Sequence, residues 1–258
     1  MPRPSQQNNK KETEMNNSYI YGKHAVYEAL KAGRVIDKIY FQKELQDSQI
    51  TTIRTLARSK SVVCVECDKR KLDMMSEAGV HQGVIASAAQ TDYATIDDIF
   101  AKAEEKNEKP FIVICDGIED PHNLGAIIRS AAACGVHGVV ISKHYSVGLT
   151  ATVAKAAAGA LEHMNIVRAS NLTNVINDLK ERGVWVFAAA ADGEKTMYEA
   201  DFKGSTAIVV GSEGSGISRL VKENSDFIVN IPMSADTESL NASVAAAVLM
   251  FEAVRQRR

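Results

Sequence analysis

The chain has 258 residues, 45% of them hydrophobic, which is enough to bury the core of one large domain or two smaller ones. A formal charge of -2 excludes a strongly basic protein, and no apolar run approaches the ~20 residues of a membrane span. Four cysteines in a chain of this length do not form a disulfide framework, so a reducing cytoplasm without membrane contact is the expected setting.

Residues 1–17 read as a polar, disordered tail that lacks the apolar core of a signal peptide. Residues 18–90 follow as a compact α/β pattern. It comprises a helix at 23–31, a strand at 36–41, a helix at 48–59, a strand at 62–67, a helix at 69–76 and a strand at 83–88. Cys64 and Cys67 form a C-x-x-C pair, but no second pair follows at zinc-site spacing. Both are read as small strand residues, and no metal site is expected. Residues 91–109 become highly charged and fit an exposed linking helix before a boundary at Pro110.

From residue 110 to 258 the rhythm is that of βα units. Apolar strands are expected at 111–115, 138–142, 184–190, 207–211 and 227–231, with helices at 124–134, 150–163, 172–182 and 217–224. This alternation predicts an α/β fold with a parallel sheet covered on both faces, whose ligands bind at the carboxyl ends of the strands. Charge divides unevenly between the two parts. Residues 20–90 carry 11 Lys and Arg against 8 Asp and Glu, whereas 91–258 carry 16 against 22. A mildly basic small domain on an acidic larger one is compatible with docking on nucleic acid.

Three loops after strands carry the chemistry. The first, Asp116 to Arg129, has Pro121 to set a turn and Asn123 placed to cap the next helix. Gly125 lies four residues before Arg129, leaving room for a group to approach a guanidinium suited to phosphate or a developing oxyanion. His122 is read as structural. The second loop, Gly211-Ser-Glu-Gly-Ser-Gly-Ile-Ser218, brings backbone close to a ligand, but Ile217 stands where a P-loop needs Lys. No G-x-G-x-x-G follows a strand in this part, which disfavours ordinary dinucleotide binding. The third, Ile231 to Asn241, leads into a helix over 242–254 that is apolar almost all round and therefore expected to be buried in a core or a subunit interface, with Ser239 or Asn241 as its cap.

Taken in order, Asn123-x-Gly125-x-x-x-Arg129, Gly211-x-Glu213-Gly214 and Ile231-Pro-Met with Ser239-Leu-Asn241 resemble the three motifs of the SpoU/TrmH family of RNA ribose 2'-O-methyltransferases, in the SPOUT superfamily. The resemblance covers 110–258 almost without interruption. Residues 18–90, through Tyr21-Gly-Lys-His-Ala-Val and His81-Gln-Gly-Val-Ile-Ala, resemble the ribosomal-protein-L30e-like substrate-binding domain of bacterial 23S rRNA guanosine-2'-O-methyltransferases. One departure is Ala235, where the family usually has glycine.

The resemblance implies a SPOUT-type parallel sheet with a C-terminal trefoil knot, a homodimer, and methyl transfer from S-adenosylmethionine to a 2'-hydroxyl of RNA, most simply a guanosine of 23S rRNA. It maps cofactor contacts onto Gly211, Ile231 and Leu240, and site residues onto Asn123, Arg129, Glu213, Ser239 and Asn241. Some family schemes make the arginine a general base. A guanidinium holds its proton at any working pH, so Arg129 is better read as a clamp on phosphate and emerging alkoxide. The other readings are a tRNA or antibiotic-resistance rRNA methyltransferase, a non-catalytic RNA-binding protein of the same fold, and a small-molecule enzyme with a nucleotide cofactor.

Overall fold

The computed structural model describes residues 19–76, 79–89, 91–234 and 239–258. The expected tail and Ala235 lie outside these residues. The chain divides into two compact units: the described residues up to Asp92 with Gly148–Ala151, and Tyr93–Val147 with Thr152–Arg258.

The first unit is a four-stranded sheet. Its elements are β1 (Tyr19–Tyr21), α1 (Lys23–Lys31), β2 (Ile36–Gln42), α2 (Ser48–Ser59), β3 (Val63–Cys67), α3 (Lys69–Met75) and β4 (Val84–Ala88). The order is β1-β4-β2-β3, with β4 antiparallel to both neighbours and β2 parallel to β3. The alternation in β2 puts Ile39 and Phe41 on one face, where Val26 and Leu30 of α1 and Ile50, Ile53 and Ala57 of α2 bury them. Asp47 starts α2 by accepting from the backbone N–H groups of Gln49 and Ile50. On the other face, Leu72 of α3 packs on Ile85 and Cys67. Burial raises both the Cys64 and Cys67 thiols above the ordinary range, the wrong direction for a nucleophile or metal ligand. His81 is a strut: its Nδ1 accepts from Gly83 N–H at 3.0 Å while Nε2 meets Asp73 at 2.9 Å.

The second unit contains α4 (Ile96–Glu105), β5 (Phe111–Asp116), α5 (Pro121–Ala133), β6 (Gly138–Ser142), α6 (Ala151–Ala157), β7 (Asn165–Ala169), α7 (Leu172–Glu181), β8 (Trp185–Ala189), β9 (Lys195–Thr196), β10 (Thr206–Gly211), α8 (Arg219–Asn224), β11 (Phe227–Asn230) and α9 (Ala242–Arg257). Its seven strands run in the order β7-β6-β5-β10-β8-β11-β9, every pair parallel. The central strands Phe-Ile-Val-Ile-Cys and Ala-Ile-Val-Val are buried along their length, as two covered faces require.

Several expectations are corrected here. Residues 91–109 are not an exposed linker: Ile99 and Ala103 of α4 are buried in this unit, and Ala94 bridges to Val167. Strands β7 and β9 are not among the expected strands: the apolar run of β7 is only Ile166-Val167, and β9 has just two residues. The expected helix 150–163 stops at Ala157, since Ala158 and Gly159 take positive φ of 49° and 84° before a 3₁₀ turn at Ala160–His163. Within one chain, helix α9 is buried along one side. Ala242, Ala246, Leu249, Met250 and Ala253 face inward, against α5 and β10, while Val244 and Phe251 are exposed. Its far end is fixed by Arg257, whose guanidinium stacks on Phe111 and donates to the carbonyls of Phe202 and Gly204 at 2.9 and 2.6 Å. No helix of the described residues is long and apolar enough to cross a membrane.

His137 is expected to make this unit sensitive to acid. The ring is buried; Nδ1 accepts from Phe111 N–H at 3.0 Å, so Nε2–H is the donor to Glu108 Oε2 at 3.0 Å. Burial lowers its pKa below the ordinary 6.5, although Glu108 pulls the other way. The unfolded chain therefore takes up the proton first as pH falls, and stability held fully above the ordinary value is lost below it. Thermal unfolding from about pH 8 to about pH 5 should show the Tm advantage of wild type over His137→Gln shrinking towards acid. A constant gap would assign the acid sensitivity to other groups.

Candidate active site

Strands β5, β10, β8 and β11 are neighbours in the sheet, and the three motif loops emerge at or just beyond the carboxyl ends of β5, β10 and β11. Gly211, last in β10, pairs with Asp116, last in β5. The Asp116 carboxylate accepts from Ser218 N–H at 2.7 Å and so ties the second loop to the start of the first. Within the second loop, Ser212 and Gly216 exchange backbone hydrogen bonds of 3.1 and 2.9 Å. Gly216 has φ 64°, and a Cβ on Gly211 would collide with the Gly216 backbone.

The first loop departs from expectation. Asp120, not Asn123, caps α5, accepting from His122 N–H at 2.8 Å, and Pro121 occupies the first helical position. Asn123 is thereby free for a long-range role. Its Nδ2 donates to Glu213 at 2.8 Å, and its Oδ1 accepts from Asn241 Nδ2 at 2.9 Å. Asn241 Nδ2 also donates to the same Glu213 oxygen. The other end of Asn241 caps α9, its Oδ1 accepting from Ser243 and Val244 N–H. Of the two candidate caps, Asn241 holds the position and Ser239 does not. Asn123, Glu213 and Asn241, one from each motif, are thus joined in a closed triangle of side chains.

The carboxylate of that triangle stands between two cavities. One, of about 250 Å³, has mostly apolar walls including Gly211, Ile217, Val229, Ile231 and Leu240, with Ser239 also lining it. Gly211, Ile231 and Leu240 therefore converge on a single hollow. The other, of about 610 Å³, is bounded by Glu119, Asp120, Asn123, Tyr145 and Ser215. Ser212, Glu213 and Ala242 line both.

Arg129 is not brought to the triangle. It lies six residues beyond Asn123, about 9 Å along α5 and on another face. It lines neither cavity, and among the described residues it makes no hydrogen bond or ion pair. Gly125 does not make room beside it either: a Cβ there would strike Ala156 and stand 2.9 Å from the Val153 carbonyl, so this glycine lets α6 approach α5. Sequence reasoning missed Asp116, whose signal is a lone carboxylate closing an apolar strand, and it missed Glu119 and Tyr145, which carry no local signal.

The geometry agrees with what the chain is similar to. A family model described as the SpoU rRNA Methylase family matches residues 110–251, and one described as RNA 2'-O ribose methyltransferase substrate binding matches 19–94. YacO of Bacillus subtilis (strain 168), named for the TrmH family of tRNA/rRNA methyltransferases, is 45% identical over 93% of this chain and 96% of its own. A TrmH family counterpart from Staphylococcus aureus (strain MSSA476) is 44% identical over 94% and 98%. Among solved structures, the SpoU methyltransferase AviRb from Streptomyces viridochromogenes, in complex with AdoMet, superposes with a TM-score of 0.60 at 23% identity, over 98% of this chain and 94% of that one. The A. aeolicus TrmH/SpoU tRNA modifying enzyme gives 0.53 at 29%, over 58% and 76%. With one residue from each motif joined at one site, a family model matched over 110–251 and relatives matched over most of both chains, this chain belongs to the SpoU rRNA methylase family.

Proposed function

We propose that this chain methylates RNA, moving a methyl group from S-adenosylmethionine to a ribose 2'-hydroxyl, with a guanosine of 23S rRNA as the target. The observation that carries this reading is the Asn123–Glu213–Asn241 triangle, whose Glu213 borders both an apolar cavity and a larger one edged by Glu119, Asp120 and Asn123. Such a wall separates a nucleoside-binding hollow from the space where an acceptor approaches. The residues fit the cofactor: Ile217, Val229, Ile231 and Leu240 offer apolar surface to an adenine ring, and at Gly211 and Gly216 no side chain blocks the backbone. Gly211, Ile231 and Leu240 would hold it. When bound, it supplies an electrophilic sulfonium methyl group.

The chain's own task is to align the acceptor oxygen and lower the cost of its developing charge. The triangle fixes the Glu213 loop against α5 and α9, and Ser239 lines the cofactor hollow. Arg129 clamps the RNA phosphate and the emerging alkoxide. It does so most simply across a homodimer, since it is distant from the triangle of its own chain. The exposed side of α9, with Val244 and Phe251 at a spacing of seven, suits a second copy. The same reading includes a trefoil knot in the C-terminal region, a cytoplasmic setting, and an L30e-like first unit that docks the RNA.

Calorimetry with S-adenosylmethionine, paired with mapping of 2'-O-methyl positions in RNA from a deletion strain, tests the proposal. Cofactor binding and loss of one 23S guanosine methyl group are expected. Loss of a tRNA methyl group instead would move the target, and binding without any lost methyl group would favour a non-catalytic RNA-binding protein.

A further inference from the structure

The cavity on the far side of Glu213 has properties that methyl transfer alone does not require. At about 610 Å³ it exceeds the space needed for a ribose, and Tyr145 forms part of its wall. Tyr145 is 82% exposed and held at φ 55°. A bulky residue is rare in that backbone region. Among the described residues its ring meets no other ring and no cation. It is therefore an open aromatic face beside the triangle.

Glu119 borders the same cavity. It is exposed and, among the described residues, makes no hydrogen bond or ion pair. Its neighbour Asp120 already spends one oxygen on capping α5. A free carboxylate only accepts, so it selects a partner that presents donors. A nucleobase taken out of its stack is read by aromatic stacking and by contacts to its Watson–Crick edge. Guanine alone offers two adjacent donors there, N1–H and N2–H₂, matching the two oxygens of one carboxylate. Adenine and cytosine each set a bare ring nitrogen beside their amine, and uracil flanks its N3–H with two carbonyls. Each of these would turn an acceptor towards Glu119.

We infer that Tyr145 and Glu119 form the acceptor-base pocket, Tyr145 stacking on the base and Glu119 selecting guanine through N1–H and N2–H₂. This rests on the reading of the site as an RNA 2'-O-methyltransferase. Neither residue lines the apolar hollow, so both act on the RNA and not on the cofactor.

The test uses the full chain, radiolabelled S-adenosylmethionine and ribosomal RNA from a strain deleted for the gene. Label should be recovered in 2'-O-methylguanosine after digestion. A short RNA spanning the mapped position is then made with guanosine or inosine, which lacks the 2-amino group. Wild type should prefer guanosine by about tenfold, the scale of one hydrogen bond to a charged group lost. Glu119→Gln should abolish that preference. Tyr145→Ala should raise KM for RNA by about tenfold or more, with Tyr145→Phe near wild type, as expected for stacking. Cofactor affinity should not change in any variant. Label in another nucleoside, equal use of inosine by wild type, or unaltered discrimination in Glu119→Gln would overturn the assignment while leaving methyl transfer intact. No label from wild type would remove the methyl-transfer reading and this pocket with it.

Discussion

Arg129→Ala is expected to lower turnover by about 10² or more, the scale of losing one donor to a transition state, while cofactor affinity and Tm stay near wild type. The division of effects follows from where the residue sits. Its side chain is exposed on α5, lines neither cavity and, among the described residues, has no partner. Deleting it removes no packing and strands no buried group, so the fold should not register the change. The acceptor oxygen gains negative charge as its proton leaves, and a fixed guanidinium offsets that charge only at that stage. Steady-state kinetics with isothermal titration of S-adenosylmethionine checks both halves. In the dimeric arrangement proposed for the site, mixed dimers of Arg129→Ala with Glu213→Ala should recover part of the activity, because one of their two composite sites then keeps both residues. Turnover close to wild type in Arg129→Ala would remove the residue from the chemistry.

Gly211→Ala is expected to abolish measurable cofactor binding and to destabilise the chain by about 1–3 kcal/mol, the usual penalty for forcing extra bulk into a packed region. The added methyl would collide with the Gly216 backbone and Ile217 N, and backbone cannot swing aside as a flexible side chain can. Relief requires opening the Ser212–Gly216 turn, which carries Glu213 and borders the apolar hollow. One methyl group should therefore disturb the hollow and the triangle together. Gly214→Ala is the control, since a Cβ there meets nothing within 4 Å. Equal cofactor affinity in Gly211→Ala and wild type, measured by the same titration, would show that the loop yields without cost.

Much of the architecture was legible because it depends on local periodicity. The helices at Lys23–Lys31 and Ser48–Ser59 and the strand at Gly138–Ser142 fall where the pattern put them. Their apolar residues recur at the spacing of one face or form a continuous buried run. Elements whose pattern is short were lost. A three-residue strand such as Tyr19–Tyr21 or a two-residue strand such as Lys195–Thr196 holds too few positions to express a period, and each exists because a neighbouring strand supplies its hydrogen bonds. The expected linker at 91–109 failed for another reason: charge at the end of the segment obscured Ile99 and Ala103, the two positions that decide its burial.

The site divides along the same line. By itself the sequence determined which residue types are present and at what spacing, and so the family resemblance, the parallel α/β class and the candidates Asn123, Arg129, Gly211, Glu213, Ile231, Ser239, Leu240 and Asn241. Only the tertiary structure decided which of them meet. Asn123, a plausible cap on local grounds, spends its amide on Glu213 90 positions away, because Asp120 had already taken the cap. Gly125, next to Arg129 in helical register, serves packing against α6 instead. Asn241 does both jobs, with one amide end for its own helix and the other for the triangle. Capping and helical spacing are short-range and can be read from a few consecutive letters. Competition for the same side chain, and contact between loops a hundred residues apart, are settled only when the sheet brings the carboxyl ends of its strands together.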